Sequence, residues 1–290
     1  MFTRYCRSVL CTPAIAPDRY ASCHSSGADI RVVDLEDSVP AHRKEEARHT
    51  AARFFSTAPQ DTTARCAIRV NAVTEPDGLA DLLALRHYPV KPAIVQIPKV
   101  ESARDVEIVE QVLGGDCPRL ELFAVIETPR GVERLREIAT ASPRLRALIF
   151  GAADYAMELG VGLEWEPLAQ VRSLVVNSAR AAGLHAIDAP TFELTDLPLA
   201  HRESTLARRA GFSGKIALHP RQVPVLHEVF SPDAEQLALA RRIVAAAETS
   251  GESVTTVAGT MVGRPFFTAS RRLLDEFGPV PVLTSQEGDR

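Results

Sequence analysis

At 290 residues, with 46% hydrophobic and 24% charged side chains, the chain can bury one large α/β core or two modest ones. Its net charge of −4, with basic and acidic residues interspersed, gives no electrostatic reason to expect nucleic acid or a membrane surface as a partner. The five cysteines (Cys6, Cys11, Cys23, Cys66, Cys117) are scattered and form no CxxC pair, which argues against a disulfide framework or a structural zinc site.

Short apolar runs alternate with helical patterns along most of the length. Strands are expected at Ser8–Cys11, Ile30–Leu35, Cys66–Val70, Ala93–Ile97, Leu122–Ile126, Ala147–Phe150, Leu184–Ile187 and Lys215–Leu218. Several are almost continuously aliphatic, the pattern of strands buried on both faces. Between them, 102–113 starts at a capping serine and stops at Gly114-Gly115, and 168–182 runs from just after Pro167 to Gly183. Eight strand–helix units in series predict a TIM-type (β/α)8 barrel over residues 1–222. An open doubly wound sheet is the weaker alternative, because no GxGxxG loop follows the first strand. Residues 223–290 read as a C-terminal helical extension serving as a lid or for subunit contact, with helices at 234–250 and 265–277. No apolar run approaches the roughly 20 residues needed to span a bilayer. No long apolar stretch follows Met1–Arg7 either, so a cytoplasmic location is expected.

Barrel active sites sit at the C-terminal strand ends, and here nearly every expected strand runs into polar residues. Strand two leads into Asp34-Leu35-Glu36-Asp37, strand three carries Arg69 and Asn71, and strand four ends at Pro98-Lys99. Strand five ends at Glu127, strand six in Gly151-Ala152-Ala153-Asp154, strand seven at Asp188 and strand eight at His219. Two carboxylates from neighbouring strands, Glu127 and Asp154, plus waters and a substrate oxygen can complete the all-oxygen octahedron Mg²⁺ requires. Such an ion polarises a carbonyl and stabilises the enolate left when an adjacent carbon–carbon bond breaks. Arg69 offers a planar fork to a substrate carboxylate, and backbone N–H groups at Gly151, Ala152 and Ala153 can face an anion.

Plainer readings compete. Asp34, Glu36 and Asp37 could cap the following helix or pair with Arg43 and Lys44. Lys99 could form a Schiff base, but Val100-Glu101-Ser102 after it suggests a helix start with an ion partner close by. His219 before Pro220 is as readily a packed histidine as a ligand, His185 reads as structural, and Glu158 and Glu164 as solvated surface.

The ordered set Arg7-Ser8-Val9-Leu10…Pro13, Asp34-Leu35-Glu36-Asp37-Ser38-Val39, Arg69-Val70-Asn71 and Pro98-Lys99-Val100-Glu101-Ser102 resembles the citrate lyase β-subunit-like family of HpcH/HpaI aldolases. Ile126–Gly131, Phe150–Asp154 and Ala217–Val223 continue the likeness in order. The resemblance implies a TIM barrel assembled as a homotrimer or hexamer, with Mg²⁺ held at Glu127 and Asp154. It gives Arg69 the oxo-acid carboxylate, and Glu36 and Asp37 the ordering of the metal's waters. The backbone at Gly151–Ala153 would hold the oxo-acid, and Arg7 and Lys44 are candidates for the phosphates of coenzyme A. The implied activity is retro-aldol cleavage or formation of a β-hydroxyacyl-CoA such as malyl-, citramalyl- or citryl-CoA. Alternatives are an aldolase acting on a free 2-oxo acid or a carrier-bound acyl group, or a non-catalytic ligand-binding homologue. One departure stands out. Many relatives read Met-Ile/Val-Asp-x-Pro near the C-terminus, with the aspartate serving a neighbouring subunit as acid/base, whereas this chain reads Met261-Val262-Gly263-Arg264-Pro265. Glycine cannot transfer a proton.

Overall fold

The computed structural model describes residues 6–59 and 65–277 and divides them into two compact units, the first running through Phe230. In the first unit β1 (Ser8–Pro13) is followed by α1 (Tyr20–His24), β2 (Ile30–Asp34), α2 (Lys44–Ser56), β3 (Arg65–Arg69) and α3 (Pro76–Leu85). Next come β4 (Ile94–Ile97), α4 (Ala103–Leu113), β5 (Glu121–Ile126), α5 (Pro129–Glu133), α6 (Leu135–Ala139) and β6 (Leu145–Phe150). The unit ends with α7 (Ala152–Leu159), α8 (Trp165–Ala181), β7 (His185–Asp188), α9 (Leu197–Ala210), β8 (Gly214–Ala217) and α10 (Val223–Phe230).

The eight parallel strands close into a barrel in sequence order, with β8 returning to β1 at Val9↔Ile216. Two apolar layers explain why the strands lack simple alternation. Side chains such as Val9, Val32, Phe123, Val125, Ile149 and Ile187 fill the barrel interior. Their neighbours Leu10, Val33, Ile68, Val95, Leu122 and Leu148 face outward into the core shared with the helices. Both faces are thus removed from water, which selects for continuous aliphatic runs.

The expected strands recur within two residues at each end, but two local features differ. The eighth helix starts at Trp165, ahead of Pro167. Proline is tolerated there because the first-turn N–H groups have no intrahelical partner to lose. α10 buries Val223, Leu226, Val229 and Phe230 in the barrel's outer core, so the compact unit extends through it.

The second unit, described through Phe277, contains α11 (Ala234–Thr249), a hairpin of β9 (Thr255–Val257) and β10 (Thr260–Val262), and α12 (Arg264–Phe277). Asp233 and Gln236 cap α11 reciprocally. The hairpin stands between the two helices expected from sequence at 234–250 and 265–277. Its turn residues Ala258 and Gly259 both have positive φ (50° and 80°), which matches the twist of a two-residue hairpin. Ile243, Ala247, Val257, Val262 and Phe267 form this unit's own core.

Candidate active site

The ladder places Asp34, Arg69 and Gln96 in direct register on adjacent strands, so the three side chains share one face of the barrel wall. Arg69 donates from Nε to Asp34 Oδ1 (2.6 Å) and from Nη2 to Oδ2 (2.8 Å), a two-pronged contact. Asp34 also accepts from the Glu36 N–H (3.0 Å) and from the Ser38 N–H and hydroxyl (3.2 and 2.6 Å). Burial alone would raise the Asp34 carboxyl, but the guanidinium and these donors outweigh it and hold it at about 2. Asp34 therefore stays ionised and fixes the plane of Arg69.

Glu36 is 3% exposed. Arg69 Nη1 lies 2.8 Å from its Oε2 and Lys99 Nζ 3.0 Å from its Oε1, yet neither oxygen has an aligned hydrogen bond. Burial, together with the charge of Asp37, pushes its carboxyl up to about 7 against the pull of the two cations. Lys99 joins this group to Glu127. Its φ of 50° is unusual for a side-chain-bearing residue, and it aims the Lys99 N–H at Glu127 Oε1 (2.7 Å) while the ammonium reaches Glu36. The ammonium is held in its charged form by Glu36, which removes the neutral amine a Schiff base needs.

Glu127 follows β5 and is equally buried. Its position is built by the residues after it. Thr128 caps α5 by accepting from the Gly131 N–H (3.1 Å), Pro129 opens the helix, and Gly131 packs where a Cβ would sit 2.5 Å from Val100 O. Gly151 makes room from the other side, since a Cβ there would lie 2.4 Å from Glu127 Cβ and Oε2. Burial first, then the charges of Glu36 and Asp154, raises the Glu127 carboxyl to about 8. Asp154 stands in the first turn of α7 and makes no hydrogen bond or ion pair among the described residues.

Most of these groups line one cavity of about 480 Å³ at the C-terminal ends of the strands, with Glu36 and Lys99 outside its lining. Asp34, Asp37, Arg69, Glu127, Gly151, Ala152, Ala153 and Asp154 all line it. A dication suits the donor set. Glu127 is crowded by the charges of Glu36 and Asp154, and a hard cation beside it would relieve that cost. No group of three or more His, Cys, Asp and Glu able to hold a metal occurs among the described residues. Mg²⁺ keeps most of its shell for waters and substrate oxygens, so two protein carboxylates are enough to hold it.

The expected residues do not all converge. Arg7 precedes β1, at the opposite end of the barrel. It donates to Asp29 through its backbone N–H and Nε (2.9 and 3.0 Å) and through Nη2 (2.8 Å). Arg7 is thus placed away from the strand-end cavity and engaged with Asp29 within this chain. Lys44 spends its ammonium on the carbonyls of Leu35 and Glu36 (2.8 Å each) and on Asn71 Oδ1 (2.5 Å), pinning the acidic loop from behind. Arg43 pairs with Glu46, not with that loop. Asp188, expected in the ring, is fully buried against Arg172 and Lys215 (3.0 Å each) and does not line the cavity. His219 caps the turn Pro220–Gln222 by accepting from the Arg221 N–H. Sequence reading passed over Gln96, which lines the cavity and is 1% exposed. The signal available was a lone amide inside the otherwise aliphatic run Ile94-Val95-Gln96-Ile97.

The family model for HpcH/HpaI aldolase/citrate lyase matches residues 7–220, the whole barrel. The chain belongs to this family. Among curated HpcH/HpaI relatives, the citrate lyase subunit beta-like protein of Deinococcus radiodurans is 35% identical, the alignment covering 92% of this chain and 96% of that one. The (3S)-malyl-CoA thioesterase of Cereibacter sphaeroides is 34% identical, with coverage of 92% and 93%. The crystal structure of CitE from Mycobacterium tuberculosis in complex with magnesium, acetoacetate and coenzyme A superposes with a TM-score of 0.76 at 31% identity. That match covers 94% of this chain and 98% of the other. Like other HpcH/HpaI members named as lyases, this chain is a metal-dependent carbon–carbon lyase.

Proposed function

We propose that the barrel mouth binds Mg²⁺ between Glu127 and Asp154 and cleaves or forms a β-hydroxyacyl-CoA thioester of the malyl-, citramalyl- or citryl-CoA kind. The observation that carries this reading is the buried Glu127 carboxylate crowded by Glu36 and Asp154 at the edge of an otherwise suitable substrate cavity. The CitE complex with magnesium, acetoacetate and coenzyme A supports it from the side of the relatives. In cleavage the β-hydroxyl loses its proton, the Cα–Cβ bond breaks, and the thioester α-carbon takes up a proton. The products are an acyl-CoA and a 2-oxo acid, with no external oxidant or reductant. When bound, Mg²⁺ supplies a positive charge that polarises the oxo group and stabilises the enolate.

The chain's own groups do the rest. Arg69, fixed by its two hydrogen bonds to Asp34 and its ion pair with Glu36, offers its remaining Nη N–H groups to the oxo-acid carboxylate. The first N–H groups of α7, at Ala152 and Ala153, have no partner within the helix and face the same cavity. Glu36, with both oxygens free of aligned hydrogen bonds, is placed to accept a proton at Oε1 or Oε2, and Asp37 at the rim orders water beside it. Lys99 holds the carboxylates of Glu127 and Glu36 in their relative positions. Partners in this reading are small molecules, and the assembly is a homotrimer or hexamer in the cytoplasm. No helix among the described residues is long and apolar enough to cross a membrane.

Gly263, standing where many relatives carry aspartate, leaves room for a second reading: an aldolase acting on a free 2-oxo acid or on a carrier-protein-bound acyl group. Incubation with Mg²⁺ and malyl-, citramalyl- or citryl-CoA, followed by measuring oxo-acid release, separates the two. Release from at least one thioester, abolished by a chelator, is the expected result. No release from any of them, with pyruvate formed from a free hydroxy-oxo acid, would replace the first reading by the second.

A further inference from the structure

The cavity has a floor unlike its rim. Beneath the carboxylates, Cys11, Val125, Ile149, Ile216 and Leu218 belong both to the cavity lining and to the apolar filling of the barrel interior. Gln96 is the exception. It is 1% exposed, lines the same cavity beside Arg69, and its side-chain amide nitrogen has no hydrogen-bond partner among the described residues. A buried N–H donor left unpaired is costly, so its retention in an aliphatic strand points to an acceptor supplied by a ligand. The cations lining the cavity are Arg69 and Arg19. Arg69 is largely committed to Asp34 and Glu36, and Arg19 is exposed on the turn after β1, above the floor.

Resting on the lyase reading above, we infer that the oxo-acid half of the substrate is a 2-oxo monocarboxylate with a short alkyl substituent. The alkyl group lies on this apolar floor, and the Gln96 amide donates to one of the acid's oxygens. A second carboxylate, as in oxaloacetate, would be set on aliphatic carbon with no cation to meet it, and would lose its hydration without compensation. A methyl or ethyl group there gains apolar burial instead.

Calorimetric titration of the Mg²⁺-supplemented protein with glyoxylate, pyruvate, 2-oxobutyrate and oxaloacetate tests this directly. Affinity is expected to rise by about fourfold to tenfold per carbon from glyoxylate to 2-oxobutyrate, with oxaloacetate at least about tenfold weaker than 2-oxobutyrate. Oxaloacetate binding as tightly as 2-oxobutyrate, or no binding by any of the four, would overturn the inference. Gln96→Leu should weaken every acid by about tenfold without lowering the unfolding temperature, and undiminished affinity in that variant removes Gln96 from the site. Cys11→Leu, which fills the floor, should weaken 2-oxobutyrate more than glyoxylate, and an equal loss for both counts against the floor. Turnover with acetyl-CoA distinguishes the two readings. Binding in the expected order with no carbon–carbon bond formed sinks the lyase reading and leaves the floor standing. Condensation that prefers oxaloacetate does the reverse.

Discussion

At the N-terminal end of the strands Arg7 embraces Asp29 while Ser8 Oγ meets His227 Nε2 (2.7 Å) and accepts from the Asp29 N–H (3.1 Å), so charge and donors close on one another. At the C-terminal end Glu36, Gln96 and Asp154 keep hydrogen-bonding capacity that no described residue satisfies. The same closed barrel supplies both ends. What differs is how the polar groups named here are met: the Arg7, Ser8, Asp29 and His227 cluster is matched by the chain itself, although His24 Nδ1 at the end of α1 is not. A closed network spends its interactions on the folded state, whereas an open one accepts a cost in stability and holds groups ready for a ligand. Conversely, perturbing the two ends should separate stability from activity.

The largest separation is expected from Glu127→Ala and Asp154→Ala. On the proposed metal site, either change removes several kcal/mol of transition-state stabilisation, so cleavage of the active thioester should fall by about a thousandfold or more. Unfolding temperature without added metal should hold or rise, because like charges have been thinned in a buried site. Retained Mg²⁺ affinity in both variants, measured by calorimetry, would overturn the metal assignment. Arg69→Lys comes next. A point charge cannot reproduce the two-pronged contact with Asp34, and kcat/KM for the oxo-acid half should drop by about a hundredfold with KM rising.

At the closed end, Asp29→Asn should leave kcat unchanged and cost about 1–2 kcal/mol of stability, since the Arg7–Asp29 pair is only partly buried. That corresponds to roughly 2–4 °C of unfolding temperature per kcal/mol for a chain of this size. A large loss of activity with normal stability would break the division between the two ends.

The ends also differ in how they respond to pH. Glu36 and Glu127 have folded-state values raised from 4.5 to about 7 and about 8. For a carboxyl raised on folding, the folded state binds more protons than the unfolded chain between those values. Its stabilising contribution is therefore present below pH 4.5 and is lost as pH rises through about 7 to 8. Asp34 acts in the opposite sense: its contribution is present above its ordinary 3.8 and is lost only as pH falls through about 2. The metal-free protein should thus lose stability between pH 5 and pH 9, and Mg²⁺ should flatten that slope by favouring the charged carboxylates. Melting curves across this range with and without Mg²⁺ check the sign; a metal-free slope that rises with pH contradicts the crowded-carboxylate site.

Much of this was legible in the chain because the barrel repeats one physical signal eight times. Aliphatic runs such as Leu122–Ile126 show both-face burial, and the polar residue that ends each run shows where the mouth is. The place of Glu127, Asp154 and Arg69 at the cavity was readable for that reason, although their distances were not. Arg7 shows the limit of a motif: its place just before Ser8 was readable, but its engagement with Asp29 was not. Asp188 misled because a strand-terminal carboxylate can turn outward to Arg172 and Lys215 as easily as inward. Lys99 was underestimated for a different cause: its part depends on a positive φ and on a backbone N–H, neither of which is carried by side-chain identity.

Gly263 gives the smallest expected effect and the most specific one. It precedes α12, its φ is not in the left-handed region, and its carbonyl accepts from the Phe267 N–H (3.1 Å). A Cβ there would meet Val254 Cγ2 at 3.3 Å, a contact that a small shift of one methyl group relieves. The backbone therefore does not require glycine. Gly263→Asp should fold, and as a helix-capping residue it should hold or raise stability by a few tenths of a kcal/mol. If the aspartate borne by many relatives is what couples condensation to thioester hydrolysis, this variant should gain hydrolysis while its Mg²⁺ affinity and carbon–carbon cleavage stay as they were. A stable variant that releases no additional free thiol from its acyl-CoA product would place the loss of hydrolysis elsewhere in the chain.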